Sequence, residues 1–136
     1  MTANSVVFPQ GINTAQAAVT AAKTTYGDNA NAVLLLTAGA TGSIVYGMTA
    51  LPKGVLAADT KVMLFRSQDA GVTLSYIRSV LVKAYAADAA TTVPTLADFG
   101  FTETAPLRLK ATERLYVGGF AAAANGIAID AQYEDL

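Results

Sequence analysis

The side chains that could do chemistry in this sequence are carboxylates, lysines, tyrosines and hydroxyls, because the 136-residue chain has no histidine and no cysteine. This composition excludes Ser-His-Asp and Cys-His catalysis, imidazole acid–base chemistry and thiolate zinc sites. Disulfides are excluded for the same reason, and the redox compartment stays undetermined. We therefore expect a protein that is not an enzyme.

One pair of carboxylates could in principle serve a glycosidase, which needs two carboxyl groups about 5–9.5 Å apart across a cleft. Asp130 and Glu134 fall on the same face of the last predicted strand. Alternation predicts that this strand is half-buried, with Ile127 and Ile129 on the opposite face. Four residues along a strand separate them by roughly 13 Å, which is too far. A solvated strand face beside an acidic C-terminal segment explains both residues, and we predict no catalytic residue.

Oxygen ligands cluster at Asp28, Asn29 and Asn31, within the stretch Tyr26–Asn31. They could hold a calcium ion, but the glycine and bidentate glutamate of an EF-hand loop do not follow, and an Asx turn is the favoured interpretation. The glycines at 39, 42, 47 and 54 match neither a dinucleotide-binding nor a Walker spacing. We predict no cofactor and no metal.

Charge and hydropathy limit the kinds of partner that the protein could bind. With nine basic and ten acidic residues the net charge is −1, which gives no electrostatic footprint for nucleic acid. The apolar runs are far shorter than the ~20 residues of a membrane helix, and the N-terminus does not resemble a signal peptide, so we expect synthesis in the cytoplasm and no membrane contact.

Apolar residues are in surplus, at 53% of the chain against 14% charged. A chain with so few charges has apolar surface that favours burial in a protein interface. We therefore expect a homo-oligomer, most simply a trimer. Much of the surplus is alanine, so an ordinary alanine-rich fold with exposed methyl groups stays open as the alternative.

The pattern of short apolar runs and turn residues predicts strands. Their predicted ranges are 14–26, 32–37, 43–51, 61–67, a run from Val72, 114–121 and 127–133. The run from Val72 has helical spacing as an alternative, since Leu74, Ile77, Leu81 and Tyr85 could share a helix face. We favour a strand, because Ser67–Gly71 has hairpin-turn residues and the following run is rich in β-formers.

Two segments lack periodic apolar residues. Residues 1–13 are predicted to be an extended arm that grips a neighbour, and 14–136 a single domain. The stretch between Ala86 and Pro106 is a long loop of the kind that often faces a partner. The candidate partner-binding residues are Val6, Val7, Phe8 and Ile12 in the arm and Phe99 and Phe101 in the loop.

Seven or eight short strands without a convincing helix predict an all-β fold, an antiparallel β-sandwich or jelly-roll-like single domain with an extended N-terminal arm. Over residues 30–136 the order of strand and turn phrases resembles small head proteins of tailed bacteriophages, the decoration or capsid cement proteins. The phrases that carry the resemblance are 34–43, 64–71, 106–109, 114–118 and 126–132.

This resemblance implies a virion structural protein on the capsid exterior, with the major capsid protein as its partner. The matching phrases contain no residue that the resemblance would identify as catalytic. A carbohydrate- or ligand-binding jelly-roll module is the alternative from a different class, and another phage component of the tail, neck or fibre is a third.

Overall fold

The computed structural model describes residues 12–86 and 90–136, which form strands, turns and loops and contain no helix. No membrane-spanning helix therefore occurs in this part of the chain. Its strands are β1 (Ile12–Val19), β2 (Val33–Thr37), β3 (Ser43–Pro52), β4 (Thr60–Ser67), β5 (Ser75–Val82), β6 (Ala97–Asp98), β7 (Leu107–Leu109), β8 (Arg114–Gly119) and β9 (Ile127–Asp135).

The strands form two antiparallel sheets in a sandwich. The five-stranded sheet has the order β1-β9-β3-β6, with β7 also paired to β3, and the four-stranded sheet has the order β2-β8-β4-β5. Every strand pair is antiparallel. The predicted all-β antiparallel sandwich is confirmed.

The main core lies between the sheets. Alternate residues of β9 point into it, including Ile127, Ile129 and Ala131, while Ala128 and Asp130 between them are partly exposed. Val62 and Leu64 of β4 meet them from the opposite sheet and are fully buried. The half-buried pattern predicted for the last strand is therefore confirmed.

The predicted hairpin is also confirmed, because β5 pairs antiparallel with β4 from Thr60 opposite Val82 to Arg66 opposite Ser75. The helical alternative for this run is wrong. The Ser67 hydroxyl accepts hydrogen bonds from the backbone N–H of Gly71 at 2.8 Å and of Asp69 at 3.4 Å, which fixes the turn.

Several boundaries differ from the sequence expectations. The strand predicted at 14–26 ends at Val19, and the residues that follow belong to the connection to β2. β1 begins at Ile12, so the last two residues of the predicted arm pair with β9; residues 1–11 lie outside the described part. The long segment before Pro106 contains the two-residue strand β6, and the three-residue strand β7 follows it. Both strands are too short for any periodicity to be visible in the sequence.

Candidate docking surface

A second apolar cluster lies on the outer face of the four-stranded sheet, away from the main core. Its buried members are Met63 and Phe65 of β4, Tyr116 of β8 and Leu74 from the hairpin turn. The connection between β1 and β2 covers it: Ala22 bridges to Gly119 in parallel, and the Lys23 N–H donates to the Gly119 carbonyl at 2.7 Å. We call this cluster the second core.

Lys23 anchors the covering connection and is only 1% exposed. Its ammonium donates to the backbone carbonyls of Asp28 at 2.7 Å and Ala30 at 3.1 Å, and it lies 3.4 Å from the Asp28 carboxylate. Its aliphatic stem crosses Gly118, where a Cβ atom would stand 2.6 Å from the lysine Cδ. The glycine leaves room for the stem, and the turn neutralises the buried charge.

The oxygen-rich turn considered for calcium therefore surrounds a lysine ammonium. Asp28 also accepts from the Thr25 hydroxyl at 2.6 Å and the Ala30 N–H at 3.1 Å, as in an Asx turn. These two bonds are the main reason that the pKa of Asp28 is lowered. The Asn29 amide donates to the Gly71 carbonyl at 3.0 Å, and so joins this turn to the hairpin.

Partly exposed side chains at the margin of the second core form a continuous surface, which we call the tyrosine–lysine patch. Tyr26 is 39%, Tyr76 43%, Leu81 50% and Phe120 41% exposed. Leu81 stands opposite Lys61 in the β4–β5 register, so both side chains share the outer face. The patch thus comprises Tyr26, Lys61, Tyr76, Leu81 and Phe120.

Lys61 holds the patch together. Its ammonium donates to the Tyr26 hydroxyl at 2.6 Å, and stands 5.3 Å from the centroid of the Tyr26 ring and 4.6 Å from that of Phe120. Tyr76 meets Tyr26 edge to face, with centroids 5.2 Å apart and an interplanar angle of 78°. The patch is therefore an ordered aromatic surface with one cation at its centre.

The sequence reasoning missed this surface. Its residues come from the β1–β2 connection, from β4 and β5, and from the end of β8, so no spacing along the chain brings them together. The available signal was the β4 run 62–65, four large apolar residues in succession, which is typical of a strand buried on both faces.

The predicted partner-binding residues differ in location and in exposure. Val6, Val7 and Phe8 lie outside the described residues. Ile12 begins β1 and is 74% exposed.

Phe99 and Phe101 differ from expectation, since both are buried in the main core. The Phe99 N–H donates to the Met48 carbonyl at 2.9 Å, and the Arg78 guanidinium lies 4.2 Å from the Phe101 ring centroid. Both rings close the sandwich beside β6, and little of either side chain is exposed.

The outer face of the five-stranded sheet has a different character. Three shallow depressions of 270–410 Å³ lie on it, beside polar residues such as Asp98, Asp130 and Glu134. The pKa of Tyr46 there is raised, mainly by desolvation and then by the charges of Glu134 and Glu103. Within residues 12–86 and 90–136, no three carboxylates come close enough to hold a metal ion.

Comparison with known proteins identifies no family. No family model matches the chain, and no curated protein sequence does. A solved chain from a cyanophage Pam1 capsid asymmetric unit is similar at 15% identity, covering 100% of this chain and 93% of that one, with a TM-score of 0.44. Similarity at this level does not identify a function.

Proposed function

We propose that the chain is a virion structural protein that binds the outside of a tailed-phage capsid and stabilises the lattice of the major capsid protein. It acts as a homo-oligomer and catalyses no reaction. The decoration role comes from the resemblance of residues 30–136 to head proteins, and the structural observation that carries it is the tyrosine–lysine patch.

The composition of the patch suits protein docking. Aromatic residues are enriched in protein interfaces, where large rigid rings bury area at little entropic cost. Tyr26, Tyr76 and Phe120 are already held by Lys61 and the second core, so binding would order few side chains. Pre-organised rings of this kind make a favourable contact with a rigid lattice.

A cement protein needs only modest affinity per contact. Covering the exposed parts of four apolar side chains contributes on the order of 1 kcal/mol each. Symmetry repeats the contact at every equivalent site, and linked copies bind more tightly than one copy alone. The sum can oppose the pressure of packaged DNA without any single strong site.

The arrangement of the patch is less suited to carbohydrate. A sugar stacks on the flat face of a ring, but the Lys61 ammonium lies 4.6 Å from the centroid of the Phe120 ring and obstructs its face. Tyr26 and Tyr76 also meet at 78°, so the two rings do not form one flat platform. These contacts favour a protein partner.

The test is binding of purified protein to heads of the phage that encodes it, prepared without this protein and imaged by electron microscopy. We expect density on the capsid exterior. The double variant Lys61→Glu, Tyr76→Ala should bind at least about tenfold more weakly, a loss of about 1.4 kcal/mol. Tyr46→Ala, on the opposite face of the sandwich, is the matched control and should bind normally.

Two results would overturn the proposal. Density in the tail or neck would assign the chain to another virion component. A specific glycan ligand, with no binding to heads, would favour the ligand-binding alternative.

A further inference from the structure

Two hydrogen-bond donors lie side by side at the centre of the tyrosine–lysine patch. The Lys61 ammonium donates to the Tyr26 hydroxyl at 2.6 Å. An ammonium cannot accept a hydrogen bond in return, so the phenolic proton of Tyr26 is free to donate elsewhere, as are the two other protons of the ammonium. Within residues 12–86 and 90–136, neither group donates a further hydrogen bond. We call this pair the two-donor site.

The carboxylates nearest in the sequence do not supply an acceptor for it. Asp59 accepts from the Ala84 N–H at 2.8 Å, and its second oxygen lies 3.6 Å from the Lys83 ammonium. Asp28 accepts from the Thr25 hydroxyl at 2.6 Å. In the part of the chain that the structure describes, the lysine of the two-donor site forms no salt bridge. Its positive charge is therefore unbalanced.

The two donors can be reached from solvent and are held in place. Tyr26 is 39% exposed and Lys61 is partly exposed. The Tyr26 ring meets Phe65 and Tyr76 edge to face, with centroids 6.3 Å and 5.2 Å apart. The Phe120 ring centroid lies 4.6 Å from the ammonium. Because these contacts already fix both side chains, a ligand that binds them would order little more of the protein.

A carboxylate matches the two donors in charge and in number of acceptors. Its two oxygens can accept from the ammonium and from the phenol at the same time, and its charge balances that of Lys61. Hydrogen bonds between charged groups are also roughly twice as strong as those between neutral groups. A backbone carbonyl would leave the lysine charge unbalanced. The Tyr76 hydroxyl does not take part, because it donates to the Ser79 hydroxyl at 2.7 Å.

The surroundings of the site favour a carboxylate that belongs to a protein side chain. Tyr76, Leu81 and Phe120 present partly exposed apolar surface around it. A partner that covers this surface removes water from the Lys61 ammonium, and a buried ammonium without an anion is costly. The partner must therefore bring an acceptor with it. A free small carboxylate would leave the rings exposed, whereas a protein brings apolar surface as well.

We propose that Lys61 and Tyr26 together bind the side-chain carboxylate of an aspartate or glutamate on the partner protein, while the rings of Tyr76 and Phe120 pack around it. This inference rests on the proposed docking role and adds the chemistry of the group that the patch recognises. It also predicts selectivity, because a partner surface with a lysine or arginine at this point is repelled.

The test measures the affinity of the full chain for heads prepared without it. Lys61→Met should bind at least about tenfold more weakly, whereas Lys61→Arg, which can still pair with a carboxylate, should bind nearly as wild type. Tyr26→Phe keeps the ring but loses the O–H donor, and should bind about three- to tenfold more weakly. Lys110→Met is the matched control, because it removes the same charge from an exposed lysine outside the patch, and should bind normally.

Salt dependence separates a charge pair from a purely structural role of the lysine. The affinity of the wild type should fall as salt is raised, and that of Lys61→Met should fall less, because one ion pair is missing. A water-soluble carbodiimide, which joins a carboxylate directly to a lysine amine, gives a second measurement. We expect Lys61 to be cross-linked to an aspartate or glutamate of the major capsid protein, and Lys61→Arg to bind without a cross-link at this position.

Two results would overturn this inference and leave the docking role intact. One is wild-type affinity in Lys61→Met, and the other is equal salt dependence in Lys61→Met and the wild type. If the wild type does not bind heads at all, the proposed function is wrong and the inference is overturned with it.

Discussion

The two outer faces of the sandwich differ in what their strands expose. On the four-stranded sheet, Met63, Phe65 and Tyr116 point outward and are buried beneath the β1–β2 connection. On the five-stranded sheet, the outward row Gln16, Asp130 and Thr49 is small and polar, and no described segment crosses it. Large apolar side chains on a second face thus require a cover, whereas small polar ones can stay in contact with solvent.

The largest expected effect on stability comes from the most buried aromatic ring of the second core. Phe65→Ala should lower the free energy of unfolding by about 3–5 kcal/mol, because it leaves a cavity beneath the covering connection. Chemical denaturation with a two-state fit gives the value. Tyr46→Ala on the open face should cost less than about 1 kcal/mol; equal losses at both positions would contradict the distinction between the faces.

A smaller effect is expected at the lysine anchor. Lys23→Met keeps an unbranched side chain of similar length but leaves the Asp28 and Ala30 carbonyls without their ammonium donor, at a cost of about 1–3 kcal/mol. Hydrogen exchange should accelerate at residues 24–31 more than in β9. Unchanged exchange there would mean that the cover does not depend on Lys23.

Steric crowding under the same anchor should have a still smaller effect. Gly118→Ala brings a Cβ atom within 2.6 Å of the Lys23 Cδ. The new atom would also stand 3.1 Å from the Lys23 Cβ, so the buried stem has to shift, and we expect a loss of at least about 1 kcal/mol, within the range of overpacking costs. Gly27→Ala has no atom within 4 Å and no positive φ, so its melting temperature is the control and should hardly change.

The smallest effect concerns pH. Hydrogen bonds from Thr25 and Ala30 lower the pKa of Asp28, and those from Thr73 and Ser67 lower the pKa of Asp69. A lowered pKa in the folded state gives stability that is present above the unfolded value of about 3.9 and is lost as the pH falls through the folded value. Both turns border the second core, so its cover should loosen first in acid.

Thermal melts from pH 5 to pH 2 measure this effect. We expect the melting temperature to fall over that range, and to fall less in the variant Asp28→Asn, whose amide oxygen can still accept the turn hydrogen bonds. A melting temperature that is constant across the range would show that neither carboxylate contributes.

The sequence by itself determined the fold class, because period-two alternation and turn residues are local signals. The alternation in β9 and the turn Ser67–Gly71 predicted a half-buried strand and a hairpin, and both are present. The absence of histidine and cysteine determined which catalytic machinery was impossible. These features depend on neighbouring residues only.

The tertiary structure decided which surfaces are available. The apolar run 62–65 indicates that β4 is buried on both sides, but it does not show that the cover is a connection about 35–45 residues earlier in the chain. Phe99 and Phe101 looked exposed in a loop but fill the core, since burial depends on what folds over a segment. The position of β1 at the end of the five-stranded sheet likewise depends on its pairing with β9, a strand more than 100 residues later in the sequence.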